Sequence, residues 1–235
     1  MLFFAENISE NPVLPLDESF HCVKVLRLRE NDEVQIIDGK GNLYEARIVL
    51  ADTKNTCVEI LSVQKEFEKR DYFLHLAVAP TKNIERFEWC VEKAVEIGVD
   101  EITPLFCKFS ERKTVKLERL EKIIISAAKQ SLKAYITKLN PLINFNDFVL
   151  QSTEHQRFIA HCHKTEKQQL LKVCKKNLST LAMIGPEGDF SLEEVQFAEN
   201  QGFTSVSLGQ SRLRTETAGV VAVHTVALQS AVARR

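Results

Sequence analysis

Two short segments hold the residues best suited to chemistry. The first is Ile184-Gly185-Pro186-Glu187-Gly188-Asp189-Phe190-Ser191. Gly185 and Gly188 let a ligand approach the backbone more closely than a Cβ would allow, and Pro186 stiffens the turn. An ordinary strand-to-helix turn accounts for this segment equally well. The second segment, Leu208-Gly209-Gln210-Ser211-Arg212-Leu213-Arg214-Thr215-Glu216-Thr217-Ala218, sets Arg214, Thr215, Glu216 and Thr217 at the head of a run that is otherwise nearly all apolar. A helix beginning there offers free N–H donors to a ligand carboxylate or carbonyl. Thr215 or Thr217 as an N-cap, with Glu216 as a favourable charge on the helix dipole, is the simpler account, but it leaves Arg212 and Arg214 unexplained.

Other chemistries lack their residues. No G-x-G-x-x-G follows a strand, no G-x-x-x-x-G-K-[ST] occurs and no G-x-S-x-G elbow is present, so neither a dinucleotide fold, a P-loop nucleotidase nor an α/β-hydrolase is indicated. His161-Cys162-His163 has no second pair at metal-ligand spacing and reads as a packed strand rather than a metal site. Cys22, Cys57, Cys90, Cys107, Cys162 and Cys174 are widely spaced without a C-x-x-C pair, as reduced thiols are, and disulfides are not expected.

The elements that must position the two segments change character along the chain. Val34–Ile37, Leu43–Leu50 and Thr56–Val63 read as short strands, with Asp38-Gly39-Lys40-Gly41 as a turn and His21–Leu28 as a preceding helix. The charged stretch Lys65–Asp71 reads as a linker, which places a small β domain at residues 1–70 and a second domain at 71–235. From Tyr72 onward, strand-like runs (Phe73–Ala79, Ile102–Phe106, Phe158–His161, Leu181–Ile184, Val206–Leu208) alternate with amphipathic ones around residues 84–95 and 117–128. This alternation predicts an α/β domain with a parallel sheet covered by helices, whose ligands sit in loops after strands. Ser191 with Glu194 fits a capping box and starts a helix behind the first segment. The run Ala218–Ala233 is too interrupted to span a membrane and must bury most of its circumference, in the core or in a subunit interface.

Charge is unevenly shared. Residues 71–182 carry 18 Lys plus Arg against 13 Asp plus Glu, whereas 1–70 and 183–235 are acidic, although the whole chain is nearly neutral at −1. A basic middle suits a polyanion, and lysines that merely solvate helix faces would give the same count. The N-terminus lacks a basic flank and a long apolar run, so the cytoplasm is the expected location, with no membrane.

Gly185-Pro186-Glu187-Gly188, followed after a helix by Leu208-Gly209 and Leu213-Arg214-Thr215-Glu216-Thr217-Ala218, resembles the SPOUT-type, trefoil-knotted methyltransferases, and within them the RsmE family. Lys93–Val99, Ser110-Glu111-Arg112 and Ala127–Ser131 support the likeness, which runs nearly the whole length. It implies a PUA-like RNA-binding β-barrel at 1–70, a knotted α/β methyltransferase domain at 71–235, and transfer of a methyl group from S-adenosylmethionine, without metal, to N3 of a uridine in 16S ribosomal RNA of the small subunit. It further implies a homodimer formed through the knotted domain. Methylation of another RNA target, either a ribose 2′-hydroxyl or a transfer RNA base, and a non-catalytic RNA-binding assembly factor are the alternatives.

On that likeness the cofactor would be held by Ile184, Gly185, Pro186, Glu187, Gly188, Leu208, Leu213, Thr215, Thr217 and Ala218. Arg214 would stabilise charge on the uracil oxygens, with Glu216 or a water taking the N3 proton. The target base must be unpaired, because N3 is engaged in Watson–Crick pairing. Lys82, Arg86, Arg112, Lys129 and Lys133 are the candidate phosphate contacts, with solvated helix charge as the even alternative for each. The chain departs from the family pattern at Asp189, where a second glycine is usual, at Ser211-Arg212, at Lys133 and at Pro80-Thr81-Lys82.

Overall fold

The computed structural model describes residues 1–231. The chain groups into two compact units, Met1–Lys69 with Ile125–Ile136, and Arg70–Ile124 with the remainder from Thr137.

The first unit contains β1 (Leu2–Phe4), α1 (Leu16–Phe20) running into a π-helical turn over His21–Val25, β2 (Glu33–Ile37), β3 (Leu43–Leu50) and β4 (Cys57–Gln64). Its sheet has the order β1-β2-β3-β4, parallel at β1/β2 and antiparallel elsewhere. Alternation along β3 points Tyr44, Ala46 and Ile48 inward, where they meet Phe3, Ile8, Leu14, Val34, Ile36 and Val58. Each large side chain buried there contributes roughly 1.5–3 kcal/mol. At the predicted turn the Asp38 carboxylate accepts from the N–H groups of Lys40 at 2.8 Å and Asn42 at 3.1 Å, so the side chain folds the loop. The helix expected at His21–Leu28 begins earlier, at Leu16. Pro15 before it and Asp17 and Glu18 in its first turn are the start signals, and the chain is out of the helix by Arg27, whose φ is 57°. Strand β1 escaped the sequence reading because three residues are too few to display alternation; pairing with β2 makes it a strand.

The second unit contains β5 (Phe73–Val78), α2 (Ile84–Ile97), β6 (Glu101–Phe106), most of α3 (Leu117–Gln130), β7 (Lys138–Leu139), β8 (Ile143–Asn144), α4 (Phe145–Gln151), β9 (Gln156–Ala160), β10 (Gln168–Gln169), α5 (Leu170–Val173), β11 (Ser179–Ile184), α6 (Leu192–Asn200), β12 (Thr204–Ser207) and α7 (Thr215–Ala231). The strands form one parallel sheet in the order β10-β12-β9-β11-β5-β6-β7, with β8 paired to β6. Strands β5 and β11 are buried along nearly their whole length, as central strands covered on both faces must be. On one face Ala77, Ile159, Leu181 and Met183 pack with Phe145 and Phe148 of α4 and Val195 and Ala198 of α6. On the other, α7 lies against α2, β5 and β11.

Register decides where the loops go. Val206 pairs with Ala160, Ala160 with Ile184, Ile184 with Val78 and Val78 with Pro104, so one row of residues crosses the sheet near the carboxyl ends of five strands. The loops after those strands therefore open on the same edge. Two strands stop earlier than the sequence suggested: β9 ends at Ala160, not His161, and β12 ends at Ser207, not Leu208.

From β12, beyond β9, the chain returns through Leu208–Arg214 to the centre of the sheet and passes against the Gly185 loop before α7 begins. No periodicity argument would have selected this return. The all-round apolar run becomes α7, which buries Gly219, Ala222, Val223 and Val226 inward and leaves His224 and Leu228 exposed. Val232 and Ala233 of that run lie outside the described residues.

Candidate active site

Three loops and one helix start converge on a cavity of about 870 Å³ in the second unit. The loop after β11 is shaped by its own backbone: the Asp189 N–H donates to the Pro186 carbonyl at 2.9 Å, and a Cβ on Gly185 would sit 3.0 Å from the Phe190 nitrogen. Asp189 takes a φ of 67°, which explains why a glycine suits this position. Here the carboxylate compensates, accepting from the N–H of Phe190 at 2.8 Å and from that of Cys162 at 2.7 Å, so it also ties the β11 loop to the β9 loop. Behind it the capping box forms as expected, with the Glu194 N–H on Ser191 Oγ at 3.2 Å and the Ser191 N–H on the Glu194 carboxylate at 2.8 Å.

The β9 loop holds a polar chain. The Lys167 ammonium donates to His161 Nδ1 at 3.2 Å and to the His161 carbonyl at 2.9 Å, and also reaches the His163 carbonyl. His161 Nε2 lies 3.0 Å from Ser205 Oγ, whose hydroxyl donates to Glu199 at 2.6 Å. Because the serine proton is committed to the carboxylate and Nδ1 faces an ammonium, His161 carries its proton on Nε2. Burial, aided by the Lys167 charge, pushes the His161 pKa down to about 4, so the ring is neutral near pH 7.

The third wall is Leu208–Arg214. Gly209 has a φ of 138°, and the space a Cβ would occupy is open. Thr215 opens α7 and its hydroxyl donates to the Gly185 carbonyl at 3.1 Å, so it joins two walls rather than capping its own helix. Glu216 is 8% exposed and stands 3.9 Å from the Arg86 guanidinium of α2, the two helices running side by side.

Among the residues expected at a cofactor, Ile184, Gly185, Pro186, Glu187, Leu208, Leu213, Thr215 and Ala218 line the cavity, together with Arg214 and Glu216. Gly188 and Thr217 do not; Gly188 instead faces outward, where its missing Cβ makes room for Phe109. Of the expected phosphate contacts only Arg86 lies on the cavity wall. The Lys82 ammonium is exposed and pairs with Glu111 at 2.8 Å, while its N–H donates to Glu187 at 2.9 Å. Arg112 donates to the carbonyls of Thr81 at 3.0 Å and Lys82 at 2.6 Å, and so braces one loop on another. Lys129 and Lys133 belong to the first unit, where Lys129 pairs with Glu18 at 2.6 Å.

The sequence reading set His161, Cys162 and His163 aside as a packed strand and did not single out Lys167; with β9 ending at Ala160 all four fall in a loop after a parallel strand, where ligands bind. No cluster of three or more His, Cys, Asp or Glu capable of holding a metal occurs among the described residues.

Residues 68–227 match the model of the RNA methyltransferase domain, and residues 14–61 that of the RNA methyltransferase PUA domain. Ribosomal RNA small subunit methyltransferase E of Mesomycoplasma hyopneumoniae is 30% identical over 93% of this chain and 95% of its own. The chain belongs to the RsmE family. Among solved structures, a probable rRNA-methyltransferase from Porphyromonas gingivalis superposes on this RsmE-family chain with a TM-score of 0.91 at 38% identity, over 99% of each chain. The methyltransferase E of Neisseria gonorrhoeae, solved bound to S-adenosylmethionine, gives 0.86 at 26% identity over 97% of each. The PUA-like unit and the parallel-sheet unit read from the sequence are thus both family features.

Proposed function

We propose that this RsmE-family protein uses S-adenosylmethionine to methylate N3 of a uridine in 16S ribosomal RNA of the small subunit. The observation that carries the reading is that Arg214 and Glu216 line the same cavity as Gly185-Pro186-Glu187. The cavity fits the cofactor: its volume of about 870 Å³ suits a nucleoside-sized ligand, Gly209 leaves one wall open, and no metal is needed for the transfer. We assign cofactor contact to Ile184, Gly185, Pro186, Glu187, Leu208, Leu213, Thr215 and Ala218, with Gly188 and Thr217 acting on the loop and helix that carry them.

Bound there, S-adenosylmethionine supplies an electrophilic methyl group. The protein's share is positioning and charge. Arg214 donates to the uracil oxygens, where negative charge grows as N3 loses its proton. Glu216, 3.9 Å from the Arg86 guanidinium, takes that proton directly or through a water. We assign residues 1–70 to RNA binding and 71–235 to catalysis, with Lys82, Arg86, Lys129 and Lys133 on phosphates and Arg112 holding the loop that presents Lys82.

A homodimer through the catalytic domain is part of the same proposal. Trp89 of α2 and Leu228 of α7 are 43% and 44% exposed, large apolar side chains of the kind that a second copy would cover. A ribosomal substrate places the protein in the cytoplasm; no helix among the described residues is long and apolar enough to cross a membrane.

The test is incubation of the purified protein and labelled cofactor with small subunits from cells lacking the activity, followed by nucleoside mass spectrometry. The expected product is 3-methyluridine. A different methylated nucleoside overturns the assignment of the base, and cofactor binding without incorporation into any ribosomal RNA overturns the substrate.

A further inference from the structure

We infer that Phe109 is a stacking platform for an unpaired base of the RNA substrate, presented by a cross-braced arm that follows β6. The inference rests on the proposed function and adds to it a residue that neither the glycine loop nor the arginine segment supplies.

Phe109 is unusual in its setting. Six phenylalanines of this unit, Phe87, Phe145, Phe148, Phe158, Phe190 and Phe203, are buried, whereas Phe109 is 47% exposed, more than Phe73 at 38%. It is not exposed through looseness. Ser110 closes the turn beneath it, its Oγ accepting from the Cys107 N–H at 3.0 Å and its own N–H donating to the Cys107 carbonyl at 3.0 Å. On one flank the Lys108 N–H donates to Glu194 at 2.8 Å and the Lys108 ammonium pairs with Glu193 at 3.1 Å, fixing the arm to the start of α6. On the other flank Glu111 pairs with Lys82, and Arg112 donates to the carbonyls of Thr81 and Lys82.

The arm's position ties it to the reaction site. It leaves the sheet on the edge shared with the loops after β5, β9, β11 and β12. A Cβ on Gly188 would come within 2.9 Å of the Phe109 Cβ, so only glycine at 188 lets the β11 loop rest against it. One side of the Gly185–Asp189 loop thus faces the cavity and the other carries the phenyl ring.

The surroundings select the partner. Lys113 and Lys116 of the arm are exposed, as are Lys108 and Lys82 in their pairs with Glu193 and Glu111, and the Lys108 ammonium stands 5.7 Å from the ring centroid. Protein interfaces are depleted in lysine at their cores. An aromatic face among lysines is instead the combination that takes a base and its phosphate. A uridine offering N3 must be unpaired, and the face of that base or of its neighbour then needs cover that the duplex no longer provides.

The test uses the full chain, with a fluorescein-labelled decauridylate as probe. Phe109→Ala and Phe109→Leu are expected to weaken decauridylate binding about 10- to 100-fold, and to raise KM for small subunits by a similar factor. Affinity for S-adenosylmethionine should stay within about twofold, and Phe109→Trp and Phe109→Tyr should retain RNA binding. Decauridylate binding by Phe109→Leu equal to that of the unaltered protein overturns the inference, since leucine keeps the apolar contact and lacks the flat ring. A parallel fall in cofactor affinity overturns it too, because Phe109 would then only prop the Gly188 loop. Failure of the unaltered protein to methylate small subunits strikes the proposed function instead, and the decauridylate comparison still decides the role of Phe109.

Discussion

The Thr215 hydroxyl donates to the Gly185 carbonyl across 3.1 Å, joining the first residue of α7 to the first residue of the loop after β11. Thirty positions apart in sequence, these two residues are the seam between two walls of the cavity, and both are buried. Thr215→Val keeps the shape but leaves a buried carbonyl without its donor. The expected cost is about 1–3 kcal/mol of folding stability in urea denaturation, with weaker S-adenosylmethionine binding by calorimetry. Thr215→Ser keeps the donor and should stay close to the unaltered protein. A loss in Thr215→Ser with Thr215→Val unchanged would show that the methyl group, not the hydrogen bond, holds the seam.

Arg214 is exposed at the cavity mouth and is assigned to charge that exists only as the reaction proceeds. Arg214→Ala should therefore lower the methyl-transfer rate by roughly 100- to 1000-fold while cofactor affinity changes only a few-fold. Single-turnover kinetics beside calorimetric cofactor binding separate the two quantities. Equal losses in both would move Arg214 from transition-state stabilisation to cofactor binding. Glu216→Gln distinguishes the proton acceptors: a retained rate assigns the proton to water.

Gly219 on α7 meets Cys90 on α2 so closely that a Cβ there would lie 2.6 Å from the sulfur. Cys90 is fully buried, and burial pushes its thiol up to about 12, so the neighbour is a neutral, packed group. Gly219→Ala should destabilise the protein by about 1–3 kcal/mol through overpacking, against the gain that alanine normally brings inside a helix. Cys90→Ala opens the space. Thermal unfolding of the two single variants and the double variant forms a cycle, and additivity within about 0.5 kcal/mol would mean that the helices do not cross at this point.

Acid should weaken the β9 loop through His161. Its pKa is held near 4 in the folded chain and returns to the ordinary 6.5 on unfolding, so between those values the unfolded state binds the proton that the folded state refuses. Stability from this group is complete above about pH 6.5 and is lost as pH falls toward 4, with a slope of at most about 1.4 kcal/mol per pH unit. Urea denaturation of the protein and of His161→Gln, from pH 7.5 down to 4.8, checks this. The gap between the two should narrow or reverse as pH falls; a gap independent of pH would show that His161 does not titrate in this window.

Much of this was legible from residue types alone. Alternation located β3 with its observed ends, the change at Tyr72 marked where helices and parallel strands take over, and Ser191 with Glu194 announced both a helix start and its cap. These are local properties: a side-chain period or a cap needs only neighbours a few positions away. The glycine loop and the arginine segment could also be singled out, since their residue types are costly to place without a use.

Tertiary structure alone decided which pieces meet. Strand ends depend on pairing partners, so β9 stopping at Ala160 moved His161 from a packed strand to the wall of the site. The return of the chain from β12 to the sheet centre brought Thr215 onto Gly185 and Gly219 onto Cys90, contacts whose partners lie far away in sequence. Asp189 read as a departure until its φ of 67° and its bonds to Cys162 and Phe190 showed a carboxylate stabilising a turn that glycine would enter freely. A sequence specifies what each segment can form; which segments share a cavity depends on register and threading, which exist only once distant strands have paired.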